Sequence, residues 1–134
     1  MHNIPSPRFD DAGLEALLVD LGKTAPRITL EDIEDNIQQE FYFTAHDGVA
    51  GAELVKPDDE PMLLITHYAL FNLTFCVLVL RNGYTVTGES ACASPENFNA
   101  EVGRQLARAN AVNKVWPLLG FRLRDVLCAE EAQA

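Results

Sequence analysis

Two arginines, Arg104 and Arg108, stand four positions apart in a segment of helical periodicity, NFNAEVGRQLARANAVNKVW, which covers residues 97–116. On an α-helix that spacing places both side chains on one side, about 6 Å apart along the axis. A guanidinium group keeps its charge and offers a planar fork of donors, which suits phosphate oxygens. The pair could therefore hold a diphosphate or two neighbouring phosphates.

Two sides of this helix carry apolar residues, and the arginines share the side with the smaller ones. One stripe is interpreted as the core face and holds Phe98, Val102, Leu106, Ala109, Val112 and Trp116. The second side holds Ala100, Ala107, Ala111 and Val115. A helix with two such sides has two neighbours. Three interpretations stay open: a solvated stripe in which Glu101 pairs with Arg104, a subunit interface that the alanines allow to be close, and a ligand pocket at such an interface.

Residues suited to catalysis or metal binding are sparse. His2, His46 and His67 are isolated from one another, and the three cysteines stand at no metal-ligand spacing. The serines lack a nucleophile-elbow context, and GYTVTG is typical of a strand rather than of a phosphate-binding loop. We therefore predict no catalytic residues, no metal and no cofactor. A nucleotide-cleaving enzyme that uses His67 or Glu89 is a minor alternative.

The charge of the chain is strongly negative but unevenly spread. The net charge is −10; residues 1–103 hold 17 acids and 5 bases, whereas residues 104–134 hold 5 bases and 3 acids. An acidic protein is a poor non-specific binder of nucleic acid, although its mildly basic last third could hold one small anion. No apolar run reaches the roughly 18 residues of a membrane span, and MHNIPSPRFDD lacks the features of a signal peptide. We expect a protein of the reducing cytoplasm.

Helices are expected on both sides of a short sheet. The periodicity predicts helices over residues 10–21 and 28–45, the second capped by Thr29, then a loop over residues 46–60 and a helix start at Pro61. The last long helix is predicted to begin at Ser94 and Pro95 and to stop near Trp116, because Pro117 cannot donate a helical hydrogen bond.

The segment TFCVLVLRNGYTVTGES predicts a β-hairpin. Asn82 and Gly83 suit a two-residue type I′ turn, which would pair Val79 with Val86 and Phe75 with Ser90. In that register the packing face consists of Phe75, Val77, Val79, Tyr84 and Val86. The expected fold is α+β: a small antiparallel sheet built on a central hairpin, packed against helices, with the long C-terminal helix at a subunit interface. Residues 1–134 are expected to form a single domain.

Two blocks of the sequence, NGYTVTGESACASPENF and GRQLARANAVNKVWPLLG, identify a resemblance. They are similar to the small phage proteins first noted in phage early regions and long without a known function. The chain also resembles the first class of Thoeris anti-defence proteins, which act as nucleotide sponges. The resemblance runs over residues 72–123, and a separate segment, ITLEDIEDNIQQEFYFTA at residues 28–45, is similar to the family's N-terminal helix. Residues 1–26 are therefore expected to be an N-terminal extension of a family domain at 27–134.

The resemblance implies a phage immune-evasion protein that binds cyclic ADP-ribose isomers in the cytoplasm of the host bacterium and does not cleave them. Relatives also take up small cyclic oligonucleotides and are homo-oligomers, dimers or hexamers, with pockets between subunits. Arg104 and Arg108 match the arginines of the family's ligand pocket. Phe75 is the matching aromatic that would stack on the base, with Tyr42 and Tyr84 as rivals.

Two further polar contacts are expected on the same resemblance, from Asn97 and Thr87. The main alternative function is an acidic phage protein that inhibits a host factor by direct protein–protein interaction, in which the arginines hold an interface together. That alternative predicts a host protein partner and no affinity for a small molecule. No nucleic-acid or membrane partner is expected in either case.

Overall fold

The computed structural model describes residues 11–22, 25–61 and 67–134. It has two layers, a three-stranded sheet and a long helix packed across that sheet. The helices are α1 (Asp11–Asp20), α2 (Leu30–Asn36), α3 (Ala45–Leu54) and α4 (Ala100–Gln133). The strands are β1 (Ile37–Thr44), β2 (Leu73–Leu80) and β3 (Thr85–Ala91), in the order β1-β2-β3 with both pairings antiparallel. Two 3₁₀ helices, Tyr68–Asn72 and Pro95–Asn97, flank the hairpin. The α+β class and the sheet built on a central hairpin are confirmed.

The segment predicted as one helix over residues 28–45 divides into a helix and a strand. Thr29 caps α2 as predicted, in a reciprocal pair of hydrogen bonds with Asp32. The helix ends at Asn36, however, and β1 follows because its aromatic residues pair along β2, with Tyr42 opposite Cys76 and Phe43 opposite Phe75. This distant pairing outweighs the local helical pattern.

The predicted loop over residues 46–60 is also partly wrong. Thr44 and Asp47 form a second capping box, and α3 runs from Ala45 to Leu54 before an irregular segment begins at Val55. The cap outweighs the cost of two glycines within the helix. The helix predicted to start at Pro61 falls largely outside the described residues, and the next described element is the 3₁₀ helix Tyr68–Asn72.

The hairpin turn has three residues rather than two, and this changes the packing face. Leu80 and Tyr84 enclose the turn: the amide of Leu80 donates to the carbonyl of Tyr84 and the amide of Gly83 donates to the carbonyl of Leu80. Gly83 has positive φ but Asn82 does not, which excludes type I′. Val79 therefore pairs with Thr85 instead of Val86, and Val86 pairs with Leu78, so that Val86 shares a face with Cys76, Leu78 and Leu80 rather than with Phe75, Val77 and Val79.

The core lies between α4 and one face of the sheet; Val86 is on that face as predicted, but β2 turns Cys76, Leu78 and Leu80 to it instead of Phe75, Val77 and Val79. The buried residues of the sheet are Thr74, Cys76, Leu78, Leu80, Val86, Gly88 and Ser90, and those of α4 are Gly103, Ala107, Ala111, Val112, Val115 and Leu119. Ile33 of α2 completes the cluster. The other side of the sheet, hereafter the open face, carries Phe41, Phe43, Phe75, Val77 and Val79.

Ala107 and Ala111 of α4 face the sheet of their own chain, which contradicts the interpretation that they pack on a second subunit. A Cβ atom at Gly88 would lie 2.2 Å from the carbonyl oxygen of Ala107 and 2.3 Å from the amide nitrogen of Ala111, so the two backbones are in close contact. At Gly103 a Cβ atom would lie 2.9 Å from Oγ1 of Thr74. Small residues are needed on α4 because the helix approaches the sheet so closely.

The stripe predicted as the core face of α4 is therefore only partly buried. Val112 is buried, whereas Val102 is 51% exposed and Leu106 is 44% exposed. The size of the side chains therefore suggested the wrong face of α4. The larger residues Val102 and Leu106 lie beside the contact between α4 and the sheet, whereas Ala107 and Ala111 form that contact.

The C-terminal helix begins later and ends later than predicted. Asn99, not Ser94, caps α4 by accepting a hydrogen bond from the amide of Val102, while Pro95 opens the short 3₁₀ helix. The helix continues through Pro117 to Gln133. Pro117 and Asn113, whose carbonyl would normally be its partner, are both exposed, while Val115 and Leu119 on either side are buried. Packing of Val115 and Leu119 on the sheet thus stabilises the helix on both sides of Pro117, a residue type that usually ends a helix.

We expect Pro117→Ala to raise the free energy of unfolding by about 1–2 kcal/mol, because the alanine restores a hydrogen bond inside α4 and the loss of chain stiffness offsets part of the gain. Chemical denaturation measures the change. Pro95→Ala is the control and is expected to change stability by less than about 0.5 kcal/mol, because an amide at the first position of a helix has no helical partner. A lower stability for Pro117→Ala would show that the proline is needed for the path of the helix.

Candidate functional site

Arg104 and Arg108 lie one turn apart on α4, beside the buried stripe and next to β1. Both are half-buried, and each lines its own cavity. The sequence prediction that they share one side of a helix is consistent with this arrangement. Nothing else in the sequence pattern indicated what surrounds them.

The cavity at Arg104, hereafter the Arg104 pocket, has a volume of about 150 Å³. Its lining consists of Tyr42, Phe43, Thr44, Asp47, Thr74, Phe98, Ala100 and Arg104. Three aromatic residues and two threonines thus share the lining of this pocket with one arginine. Arg104 donates to Glu101 at 2.7 Å, but the two side chains are 43% and 62% exposed, so the pair is weakly held. This pocket combines a flat apolar surface with a positive charge that can change partners.

Arg108 is held more firmly, between two carboxylates from different elements. Its Nη1 and Nη2 atoms donate to the two oxygens of Glu34 on α2, at 3.0 and 2.7 Å, and its Nε donates to Glu40 on β1 at 2.7 Å. The hydrogen bond from Arg108 holds the pKa of Glu34 below 4.5, against the opposing effect of burial. The same bond raises the pKa of Arg108 above its usual range. The fork of Arg108 is therefore engaged in the way that a phosphate would engage it.

Tyr42 connects the two arginine surroundings. It lines the Arg104 pocket and follows Glu40 by two residues on the same face of β1. Burial raises the pKa of Tyr42 to about 12, and the neighbouring Cys76 and Glu40 add to the increase. The phenol consequently stays protonated near neutral pH and keeps a hydrogen that it can donate.

The other predicted ligand residues lie elsewhere in the chain. Phe75 is on the open face, stacked on Phe43 with ring centroids 5.5 Å apart, and Thr87 is exposed on that same face. Tyr84 is exposed beside the hairpin turn. Asn97 lines a separate cavity of about 230 Å³ together with Asn99. A single chain thus brings Tyr42 to Arg104 but does not bring Phe75, Thr87 or Asn97 there.

Glu34, Glu40 and Phe98 have roles that the sequence did not reveal. Glu40 reaches Arg108 because residues 37–44 form a strand, whereas the sequence predicted a helix there, and Glu34 reaches it from α2. Phe98 was assigned to the core and instead contributes to both the Arg104 pocket and the Asn97 cavity. The aromatic residues of β1 were the sequence signal that could have indicated a strand there and so located Glu40.

Within the described ranges, no group of three or more His, Cys, Asp or Glu residues could hold a metal ion. The Asp47 carboxylate of the Arg104 pocket accepts a hydrogen bond from the amide of Thr44, and this hydrogen bond lowers the pKa of Asp47.

Among the helices of residues 11–22, 25–61 and 67–134, none is long and apolar enough to cross a membrane.

We expect Glu34→Gln to lower the free energy of unfolding by about 1 kcal/mol at pH 7, since it replaces a charged, two-point hydrogen bond that is partly exposed. The folded state depresses the pKa of Glu34, so its stabilisation is present above pH 4.5 and is lost as the pH falls through the folded-state value. The difference between variant and parent should therefore shrink toward pH 3. Urea unfolding across this pH range measures it.

Glu60→Gln is the matched control, because Glu60 is an exposed residue of the segment after α3. It should show little difference from the parent at either end of the pH range. A Glu34→Gln effect that stays constant down to about pH 3 would mean that the carboxylate is not the source of the stabilisation.

The chain matches a known protein family over most of its length. The family model described as the phage protein (N4 Gp49/phage Sf6 gene 66) family matches residues 28–127. The matched range starts just before α2 and ends within α4, so it contains all three strands and both arginines. No curated protein and no solved structure matches the chain.

Proposed function

Because the chain belongs to the phage protein (N4 Gp49/phage Sf6 gene 66) family, we propose that it acts inside the infected bacterium, where it binds and sequesters cyclic ADP-ribose-type signalling nucleotides without cleaving them. The resemblance to the first class of Thoeris anti-defence proteins suggests this ligand class, together with small cyclic oligonucleotides as further ligands. The observation that carries the proposal is the placement of Arg104 in a pocket with aromatic walls, one helical turn from a second arginine.

A cyclic ADP-ribose isomer has two kinds of group that this surface can recognise. Its diphosphate would lie along α4, with oxygens toward Arg104 and Arg108, whose separation along the helix is about 6 Å. Its base would enter the Arg104 pocket, between Tyr42 and Phe98. Aromatic side chains favour a stacked base, and the protonated phenol of Tyr42 can donate a hydrogen bond.

The volume of the Arg104 pocket decides how much of the ligand it can enclose. At about 150 Å³ it is smaller than the roughly 300 Å³ at which pockets for whole small molecules begin. The remainder of the ligand would lie across the exposed surface between the arginines. Tight sequestration would need a cover, and a second copy of the chain in a dimer or hexamer would supply it. A second copy could also present Phe75 or Thr87, which its own chain holds on the open face.

When the ligand binds, Arg108 would have to release the carboxylate oxygens of Glu34 and bind phosphate oxygens instead. The fork that Glu34 occupies is the fork that a phosphate needs. Glu34 is 46% exposed and would be hydrated once released, which limits the cost of the exchange. Binding would then be coupled to the contact between α2 and α4.

Sequestration requires slow release and no bond cleavage, so we propose that the chain is not an enzyme. Asp47, the carboxylate in the lining of the Arg104 pocket, is engaged in the cap of α3, which supports a structural role for it. The test is titration calorimetry with a cyclic ADP-ribose isomer, followed by heating of the complex and chromatography of the released ligand. Intact ligand supports the proposal; altered ligand would make the protein an enzyme, and absence of binding would refute the proposal.

The alternative, inhibition of a host protein, is favoured by one observation. The open face exposes large apolar side chains, with Phe41 49% and Phe43 38% accessible, which is typical of an interaction surface. Phe41→Lys would abolish capture of a host protein under this alternative. Under the sponge proposal the same change would matter only if the open face lies in the oligomer, which light scattering of the variant would reveal.

A further inference from the structure

A second arginine-lined cavity lies at the other end of the α4 contact with α2. It has a volume of about 490 Å³ and is formed by the segment before α2, by α2 itself, by the hairpin turn and by the C-terminal half of α4. Arg27, Arg81 and Arg122 line it, three of the seven arginines of an acidic chain. Three distant parts of the sequence thus contribute one arginine each to the same cavity, hereafter the Arg122 cleft.

The charges of these arginines are unequally compensated. Arg27 pairs with Glu15 at 2.6 Å. Arg81 donates through Nε to the backbone carbonyl of Asp35, a contact that orients the guanidinium without a carboxylate on it. Arg122 makes no ion pair with any described residue. Arg81 and Arg122 can therefore bind an oxyanion without first releasing a carboxylate, which distinguishes this cleft from the surroundings of Arg108.

The rest of the lining indicates more than a simple anion. Leu119, Leu123 and Val126 give the cleft an apolar wall on α4, and Asp32 and Asp35 stand on α2. The volume falls within the range of roughly 300–1,000 Å³ that is usual for small organic ligands, and it greatly exceeds the need of a phosphate ion. Carboxylates beside arginines suit a ligand that carries hydroxyl or amino donors as well as a negative group.

We infer that the Arg122 cleft binds an organic phosphate of nucleoside monophosphate size, with its phosphate on Arg81 and Arg122 and its ring against Leu119 and Leu123. The hydroxyl groups of the sugar would donate to the carboxylate of Asp35, since that of Asp32 already accepts the amide of Thr29 in the cap of α2. Arg122 is 14 residues beyond Arg108 on α4, a separation of roughly 20 Å at 1.5 Å per residue. The cleft is therefore a second site, separate from the Arg104 pocket, although α2 contributes both to the cleft and to the contact with Arg108.

The experiment is calorimetric titration of the full chain with AMP, adenosine and inorganic phosphate. AMP is expected to bind, with adenosine and phosphate each weaker by at least about tenfold, since each lacks one of the two recognised parts. Arg122→Glu should weaken AMP by at least about tenfold. The matched control is Arg124→Glu on the same helix; Arg124 pairs with Glu131 and does not line the cleft.

Several outcomes would overturn the inference. These are no binding of AMP, equal loss in the Arg122→Glu and Arg124→Glu variants, or adenosine binding as tightly as AMP. Arg104→Glu should leave AMP binding unchanged, because Arg104 does not line the cleft, and loss of AMP binding in that variant would mean that AMP occupies the Arg104 pocket instead. Failure of AMP to bind says nothing about the cyclic nucleotide, so the two proposals fail separately.

Discussion

Gly88→Ala is expected to lower the free energy of unfolding by on the order of 3 kcal/mol or more, enough to unfold much of the protein. The added Cβ atom would lie 2.2 Å from the carbonyl oxygen of Ala107 and 2.3 Å from the amide nitrogen of Ala111. Both are backbone atoms within α4, so no rotation of a side chain can relieve the overlap. Relief would require α4 to move away from β3, which would open the core between them.

Circular dichroism during thermal and urea unfolding measures this loss. Gly120→Ala is the matched control, because Gly120 also lies in α4 and a Cβ atom there would meet nothing within 4 Å. That change should stabilise the protein by about 0.5–1 kcal/mol, since alanine favours the helix. A Gly88→Ala protein with the stability of its parent would contradict the close contact between the helix and the sheet.

Arg104→Glu is expected to weaken binding of a cyclic ADP-ribose isomer by about 100-fold or more and to leave the fold intact. The change removes charge-assisted hydrogen bonds to phosphate and places a repelling carboxylate in the Arg104 pocket. Its cost to stability should stay below about 1 kcal/mol, because the ion pair with Glu101 is exposed at the surface. Calorimetry measures the affinity, and thermal unfolding verifies that the variant is folded.

Arg104 is a better test position than Arg108, whose replacement would also break the contacts with Glu34 and Glu40 and would confuse binding with stability. Arg124→Glu makes the same charge change elsewhere on α4 and should bind the nucleotide like the parent. If a folded, correctly assembled Arg104→Glu protein still binds tightly, the assignment of the ligand site to Arg104 is wrong.

The hairpin shows why the sequence predicted the fold class but not the packing. Phe75, Val77 and Val79 on one face of β2 are as apolar as Cys76, Leu78 and Leu80 on the other, so hydrophobicity could not choose between the faces. A turn of three residues instead of two decided the register. Ala107 and Ala111, which contact Gly88, were placed on the side of α4 away from the predicted core face.

The candidate site was predictable to the extent that it is local. The spacing of Arg104 and Arg108 within one helix was sufficient to place them side by side. Their partners Glu40 and Tyr42 depend on β1, which exists through its pairing with β2 more than 30 residues later in the sequence. Helical periodicity contains no information about such a partner, and so the surroundings of the arginines could not be derived.

The close contacts at Gly88 and Gly103 differ in whether a second substitution could make room for a larger residue. The overlap at Gly88 is with backbone, so no second substitution on α4 can compensate for a larger residue there. The overlap at Gly103 is with Oγ1 of Thr74, which a change of Thr74 to alanine would remove. Thr74 also lines the Arg104 pocket. A lineage that exchanged both residues together would keep its fold and inherit a pocket of altered shape, so drift in the core could supply new ligand preferences for selection to act on.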